Sequence, residues 1–108
     1  MRIFKMVVFV PEEYLEKMMD SVTEAISPVY PNYTRTFSYS KVTGTWLPLE
    51  GSDPFLGTHG KIETAEETRL EFIVFEKDIK AAVKAVRGVH PYEEPAIDII
   101  ETLDWHSL

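Results

Sequence analysis

Residues Ile3 to Val10 are apolar on both alternating sets, with Phe4, Met6, Val8 and Val10 on one side and Ile3, Val7 and Phe9 on the other. This pattern predicts a strand covered on both faces. Pro11, followed by Glu12 and Glu13, suits a helix start, because proline loses nothing in the first turn and carboxylates favour the positive end of the helix dipole. Leu15, Met18, Met19, Val22, Ala25 and Ile26 then recur at helical spacing until Ser27-Pro28. From Tyr33 the pattern changes to strict alternation, Tyr33, Arg35, Phe37 and Tyr39 against Thr34, Thr36, Ser38 and Ser40, which predicts a second strand. A stretch rich in glycine and proline runs from Lys41 to Glu67, with a short β-like piece at Thr45 to Leu49. A loop of this length in a compact domain usually carries function or an oligomer contact. Leu70, Phe72 and Val74 alternate with Arg69, Glu71 and Ile73 as a third strand. Ile79, Ala82, Val83 and Val86 predict a second helix that Gly88 can end in left-handed geometry, and Ala96 to Leu103 a fourth strand.

Strand, helix, two strands, helix, strand is the split βαβ order of an α+β, ferredoxin-like domain, with both helices on one face of a four-stranded antiparallel sheet. Right-handed crossovers place strands one and three in the middle. Strand one is nevertheless apolar on both sides, and strand four offers Ile97, Ile99 and Ile100. The uncovered face is therefore expected to meet another copy of the chain, making a homo-oligomer.

Composition narrows the partners. A length of 108 residues fits one domain, residues 1–108, with one modest core. With 18 acidic against 11 basic residues and a net charge of −7, the chain has no basic stripe to neutralise phosphates, so no nucleic acid is expected. Cysteine is absent, which removes disulfides, thiolate metal sites and a thiol nucleophile and agrees with a reducing cytoplasm. Lys5 interrupts the first apolar run and Pro11 ends it, so that run reads as a strand and not a signal peptide. No stretch approaches the ~20 apolar residues of a membrane span.

The densest chemistry lies in His90-Pro91-Tyr92-Glu93-Glu94-Pro95-Ala96-Ile97-Asp98. Pro91 and Pro95 fix φ and push His90 and Glu94 out of helical geometry, so this segment is expected to run extended into the last strand. A metal reading uses His90 with Glu93 or Glu94, joined by His59 or Asp98, since imidazole and carboxylate together suit zinc or copper. A structural reading has His90 bonded to a backbone carbonyl at the strand entrance, Tyr92 packed on its ring, and the two glutamates solvated or paired. Neighbouring glutamates on an extended chain face opposite ways and do not form an acid and base couple.

The remaining motifs are weaker. Gly57-Thr58-His59-Gly60-Lys61 hints at a phosphate loop, but the glycine spacing is wrong and Ile62 stands where Ser or Thr is needed. Ser38, Ser40 and Ser52 lack a nucleophile elbow. Trp46, Phe55 and Trp105 read as core or interface anchors in preference to base-stacking platforms, given the acidic charge.

The His90 to Asp98 string closely resembles the segment before the last strand in two related groups. These are the CutA divalent-cation-tolerance proteins and the small inserted domain of the Nif-three-like dinuclear-metal proteins, called YqfO in bacteria. Likeness to the second group extends along the chain, through Val7-Val8-Phe9-Val10-Pro11, Asn32-Tyr33 with Phe37, Gly44-Thr45-Trp46-Leu47-Pro48-Leu49-Glu50-Gly51, Pro54-Phe55-Leu56-Gly57, and Glu67, Arg69 and Glu71. Ser27-Pro28-Val29-Tyr30-Pro31 departs from it, since the family tends to small residues and glycines there. The resemblance implies a PII-like or CutA-like fold that assembles as trimers rather than dimers. It also implies a strand two to strand three loop that, in nucleotide-sensing PII proteins, touches ligands or partners. By that analogy Lys61 or Arg69 would serve an anion or nucleotide in a subunit cleft. In the long relatives the metals sit in flanking lobes, so no family metal ligand carries over to a residue of this chain. The expectation is a cytoplasmic, non-enzymatic module binding a small molecule or protein through His90, Tyr92, Glu93, Glu94, Trp46 and His59. The alternative is a CutA-like metal-binding protein or a metal-dependent hydrolase.

Overall fold

The computed structural model describes all of residues 1–108. Strands β1 (Ile3–Val10), β2 (Ser38–Trp46), β3 (Glu63–Phe75) and β4 (Ile97–Thr102) form one sheet in the order β2-β3-β1-β4, every neighbouring pair antiparallel. Helices α1 (Leu15–Ala25) and α2 (Ile79–Val89) follow β1 and β3, and each is entered through a short 3-10 turn. The α+β ferredoxin-like order expected from the periodicity is therefore present, with β1 and β3 central.

The core lies between the sheet and the helices. Met6, Val8 and Val10 of β1 and Leu70, Phe72 and Val74 of β3 meet Leu15, Met18, Met19 and Val22 of α1 and Ala82 and Val86 of α2. Ile3, Lys5, Val7 and Phe9 point to the other face, where β1 register sets them beside Phe75, Ile73, Glu71 and Arg69 of β3. No helix covers that face. It is apolar at Ile3, Val7, Phe9, Ile73 and Ile100 and is crossed by a polar stripe in which Glu71 pairs with Lys5 at 3.7 Å and Arg69 at 2.9 Å.

Three local expectations are corrected. The second strand begins at Ser38 and not at Tyr33. Asn32 and Arg35 take positive φ, 68° and 54°, and the Arg35 guanidinium turns back to Asp20 and Glu16 of α1 at 2.8 and 3.1 Å. Alternation of aromatic and hydroxyl residues cannot register a turn whose reason is an ion pair with a distant helix. The stretch read as one loop from Lys41 to Glu67 is a ribbon at both ends, paired from Ser38↔Glu71 to Trp46↔Glu63, and residues 47–62 between them are loop. This ribbon helps give the molecule its long dimension of 48 Å against 24 and 23 Å. Gly88 stays helical, and α2 ends one residue past it, at Val89, because Pro91 drives His90 to φ −65°, ψ 129°.

Truncation of the fully buried Leu70 to alanine is expected to cost about 2 to 5 kcal/mol, whereas Leu49→Ala on the exposed loop should stay within about 0.5 kcal/mol. Urea denaturation midpoints at an unchanged m-value check this.

Candidate functional site

The site is built at the end of the sheet where β1 leaves and β4 enters. Pro91 ends α2, so His90 crosses the end of β1 and its ring is buried there. Its Nδ1 accepts from the Tyr92 backbone N–H at 3.2 Å, which places the ring proton on Nε2, and Nε2 donates to the Phe9 carbonyl at 2.6 Å. Both ring nitrogens are thus engaged by the backbone. Burial lowers the His90 pKa below its usual value, with the Phe9 hydrogen bond and the charge of Glu67 opposing it.

Beyond His90 the segment does not run straight. It bends over Tyr92 to Glu94, and both glutamates come to line one cleft instead of facing opposite ways. The Glu93 carboxylate accepts from the Asp53 backbone N–H, at 3.1 and 3.2 Å to its two oxygens, and so fastens the 47–62 loop to the segment. Trp46 Nε1 donates to the Leu56 carbonyl at 3.3 Å, and His59 Nε2 meets the Ser52 carbonyl at 2.8 Å. The loop's neck is closed where Gly60 N–H donates to the Pro48 carbonyl at 2.8 Å. Gly57 and Gly60 take φ of 107° and 79°, conformations that favour glycine, which is what this glycine-rich stretch contributes.

These ties enclose a cleft of about 360 Å³ on the uncovered face. Three rings dominate it, with Trp46 and Phe55 centred 5.8 and 5.9 Å from Tyr92. The floor is Phe9, Gly44 and Glu67, all on the open side of the sheet. Glu67 is only 8% exposed, and its carboxylate lies across Gly44, where an added Cβ would meet the carboxyl carbon at 2.9 Å. The Tyr92 hydroxyl is buried without a hydrogen bond. Burial, and after it the Glu67 carboxylate placed to accept from the hydroxyl, push its pKa well up, although the pair falls short of full hydrogen-bonding geometry.

Of the residues expected at the site, Trp46, Tyr92, Glu93 and Glu94 line the cleft, whereas His90 stands behind it as a support and His59 stays within its loop. Asp98 lies on β4 beside Val7. No three His, Asp or Glu side chains converge on a common point, and His90 has no free lone pair, so the groups proposed for zinc or copper do not fit a metal within one chain. Lys61 and Arg69 do not reach the cleft, which has no basic side chain in its wall. Sequence reasoning placed Glu67 at the end of the loop and in the likeness to the family's third strand, with no role in a site. Its one signal was Gly44 on the neighbouring strand, a residue without a side chain where a carboxylate must lie.

The sheet order and one-sided helices define a ferredoxin-like fold of the PII and CutA type. A CutA from Archaeoglobus fulgidus superposes with a TM-score of 0.70 at 16% identity, covering 94% of this chain and 85% of that one. The GlnK of B. subtilis does so at 0.64 and 15%, covering 94% and 86%. Sequence carries the assignment further. A "GTP cyclohydrolase 1 type 2 homolog" of Halalkalibacterium halodurans is 39% identical over 97 residues, 90% of this chain and 26% of that protein. Its Bacillus subtilis namesake is 38% identical over 96 residues, 88% and 26% respectively. A Bacillus cereus protein related to NIF3 superposes at 0.83 and 32% identity, covering 95% of this chain and 26% of that one. Over nearly its whole length the chain is similar to one segment of these proteins, and it spans about a quarter of the relatives it matches. No protein-family model matches it.

His90→Ala removes the acceptor of one backbone N–H and the donor to one carbonyl, and is expected to cost about 2 to 4 kcal/mol. Because the folded imidazole binds its proton less well than the unfolded one, its contribution is full above the unfolded value of 6.5. It declines as pH falls from there toward the lowered folded value. Denaturation midpoints followed downward from neutral pH should fall less steeply in His90→Gln than in the wild type.

Proposed function

We propose that the chain is a non-enzymatic, self-associating module that binds a small effector or partner group in the cleft between the 47–62 loop and the His90 segment. One observation carries this reading: a preformed cleft of about 360 Å³, walled by aromatic rings and holding a buried hydroxyl with no partner, is the construction of a ligand site and not of a packed core. The Ser52 hydroxyl donates to the Leu49 carbonyl at 2.7 Å within its own loop, and the wall carries no His, Lys or Arg.

The open sheet face supports self-association. Ile100 is 52% exposed on it, and Phe9, Ile73 and Phe75 lie partly exposed on the same side. A trimer is the arrangement the resemblance to PII and CutA proteins favours. The absence of cysteine agrees with a cytoplasmic setting, and no helix is long and apolar enough to cross a membrane.

A resident divalent metal, and the hydrolase chemistry that would use one, form no part of this reading. Their sharpest test is calorimetry with zinc and copper. Specific heat that disappears in His90→Ala with the fold intact would restore the metal reading.

Light scattering is expected to give a mass above the 12.4 kDa of one chain. Ile100→Glu should return it to that value with an unchanged circular dichroism spectrum. A monomeric wild type at micromolar concentration would remove self-association from the reading.

A further inference from the structure

Glu67 is the least expected group in the cleft. The residue is only 8% exposed, and it lines the cleft. The two cations on the same side of the sheet, Lys5 and Arg69, are both taken by Glu71, so none is left for it. Glu93 and Glu94 add two more carboxylates at the rim, and no cation faces them from the wall. Holding a carboxylate on a largely buried residue without a counter-charge is costly, and a chain that does so at the floor of a preformed cavity has left the counter-charge to something that enters.

The wall specifies what kind of cation. Trp46, Tyr92 and Phe55 form a connected set of rings tilted by 50° and 41° along the cleft, with Pro48 and Pro54 completing an apolar lining. Aromatic faces attract cations within about 6 Å of the ring centre and favour weakly hydrated ones carried on an apolar body. The Tyr92 hydroxyl adds a buried group able to accept from an N–H donor. A metal ion would find only a single buried carboxylate, and a phosphate or nucleotide would meet three negative groups with no positive one.

We propose that this cleft binds a small organic cation, an ammonium or guanidinium group on a compact apolar body, with Glu67 as its counter-ion and Trp46, Tyr92 and Phe55 as its walls. The proposal rests on the reading of the cleft as a ligand site and names the ligand class. Gly44 is the positioning residue, because any side chain there would displace the Glu67 carboxylate.

Trp46 reports occupancy directly once the only other tryptophan is removed as Trp105→Phe; Trp105 stacks on His106 near the C-terminus and does not line the cleft. In that background the full chain is titrated with choline, agmatine, the neutral choline isostere 3,3-dimethylbutan-1-ol, and GTP, following Trp46 emission. At least one cation should give a saturable shift, and neither neutral alcohol nor GTP should match it. Glu67→Gln should weaken that binding about tenfold or more while circular dichroism stays unchanged. Gly44→Ala, which keeps every charge, should weaken it too. Equal or tighter binding of the alcohol or of GTP, or an indifferent Glu67→Gln, overturns the cation and leaves the ligand site standing. No response to any of the four overturns both. Emission that varies with protein concentration and not with added cation would put a neighbouring copy's side chain in the cleft, which also overturns a free ligand.

Discussion

The bridge that the His90 ring makes between the Phe9 carbonyl and the Tyr92 amide is the constraint on which the rest of the site depends. It ties the chain leaving α2 to the last residues of β1 across 81 positions of sequence, and does so with a neutral ring whose two nitrogens have opposite roles. Protonation would remove the acceptor and strand the Tyr92 amide, so burial of the ring and its function as a clamp reinforce each other. Once the ring is fixed, Tyr92 has one place to lie, and the bend that follows sets both glutamates on the cleft side.

Two further ties convert that anchored segment into a cavity. Glu93 holds the Asp53 amide, and the tilted contacts of the Tyr92 ring with Trp46 and Phe55 draw the loop and the ribbon's end to the same point. Phe55 also meets Tyr14 edge-on at 6.3 Å, which links the loop to the entrance of α1. A loop with Leu49, Phe55 and Leu56 exposed therefore keeps a definite position through a few directional contacts without being packed into the core. Space is left between loop and sheet because Glu67 is too polar to draw the rings down upon it, and because Gly44 gives it room to lie flat.

The same fold serves proteins named for divalent-cation tolerance and a GlnK solved with ATP, so architecture alone does not select a ligand. Charge in the wall does. A cleft with Glu67, Glu93 and Glu94 and no basic group favours cations whatever the ancestry of the sheet, and the aromatic lining favours those with an apolar body.

Period-two and helical patterning were enough to determine the order of elements, the two central strands, the core of Met6, Val8, Leu70, Phe72, Met18 and Val22, and the uncovered apolar face, because each depends on spacing within one segment. The prolines likewise determined that His90 leaves the helix. The tertiary structure decided what depends on contacts between distant segments. Arg35 turns away from a strand to reach Asp20, both ends of the expected loop pair as a ribbon, the His90 ring clamps two backbone groups, and Glu67 lies in the floor of the cleft. Alternation places a glutamate on a face. Only the strand beside it, bare at Gly44, and the rings brought over it by the His90 segment determine that the residue is largely buried and its carboxylate left without a counter-charge.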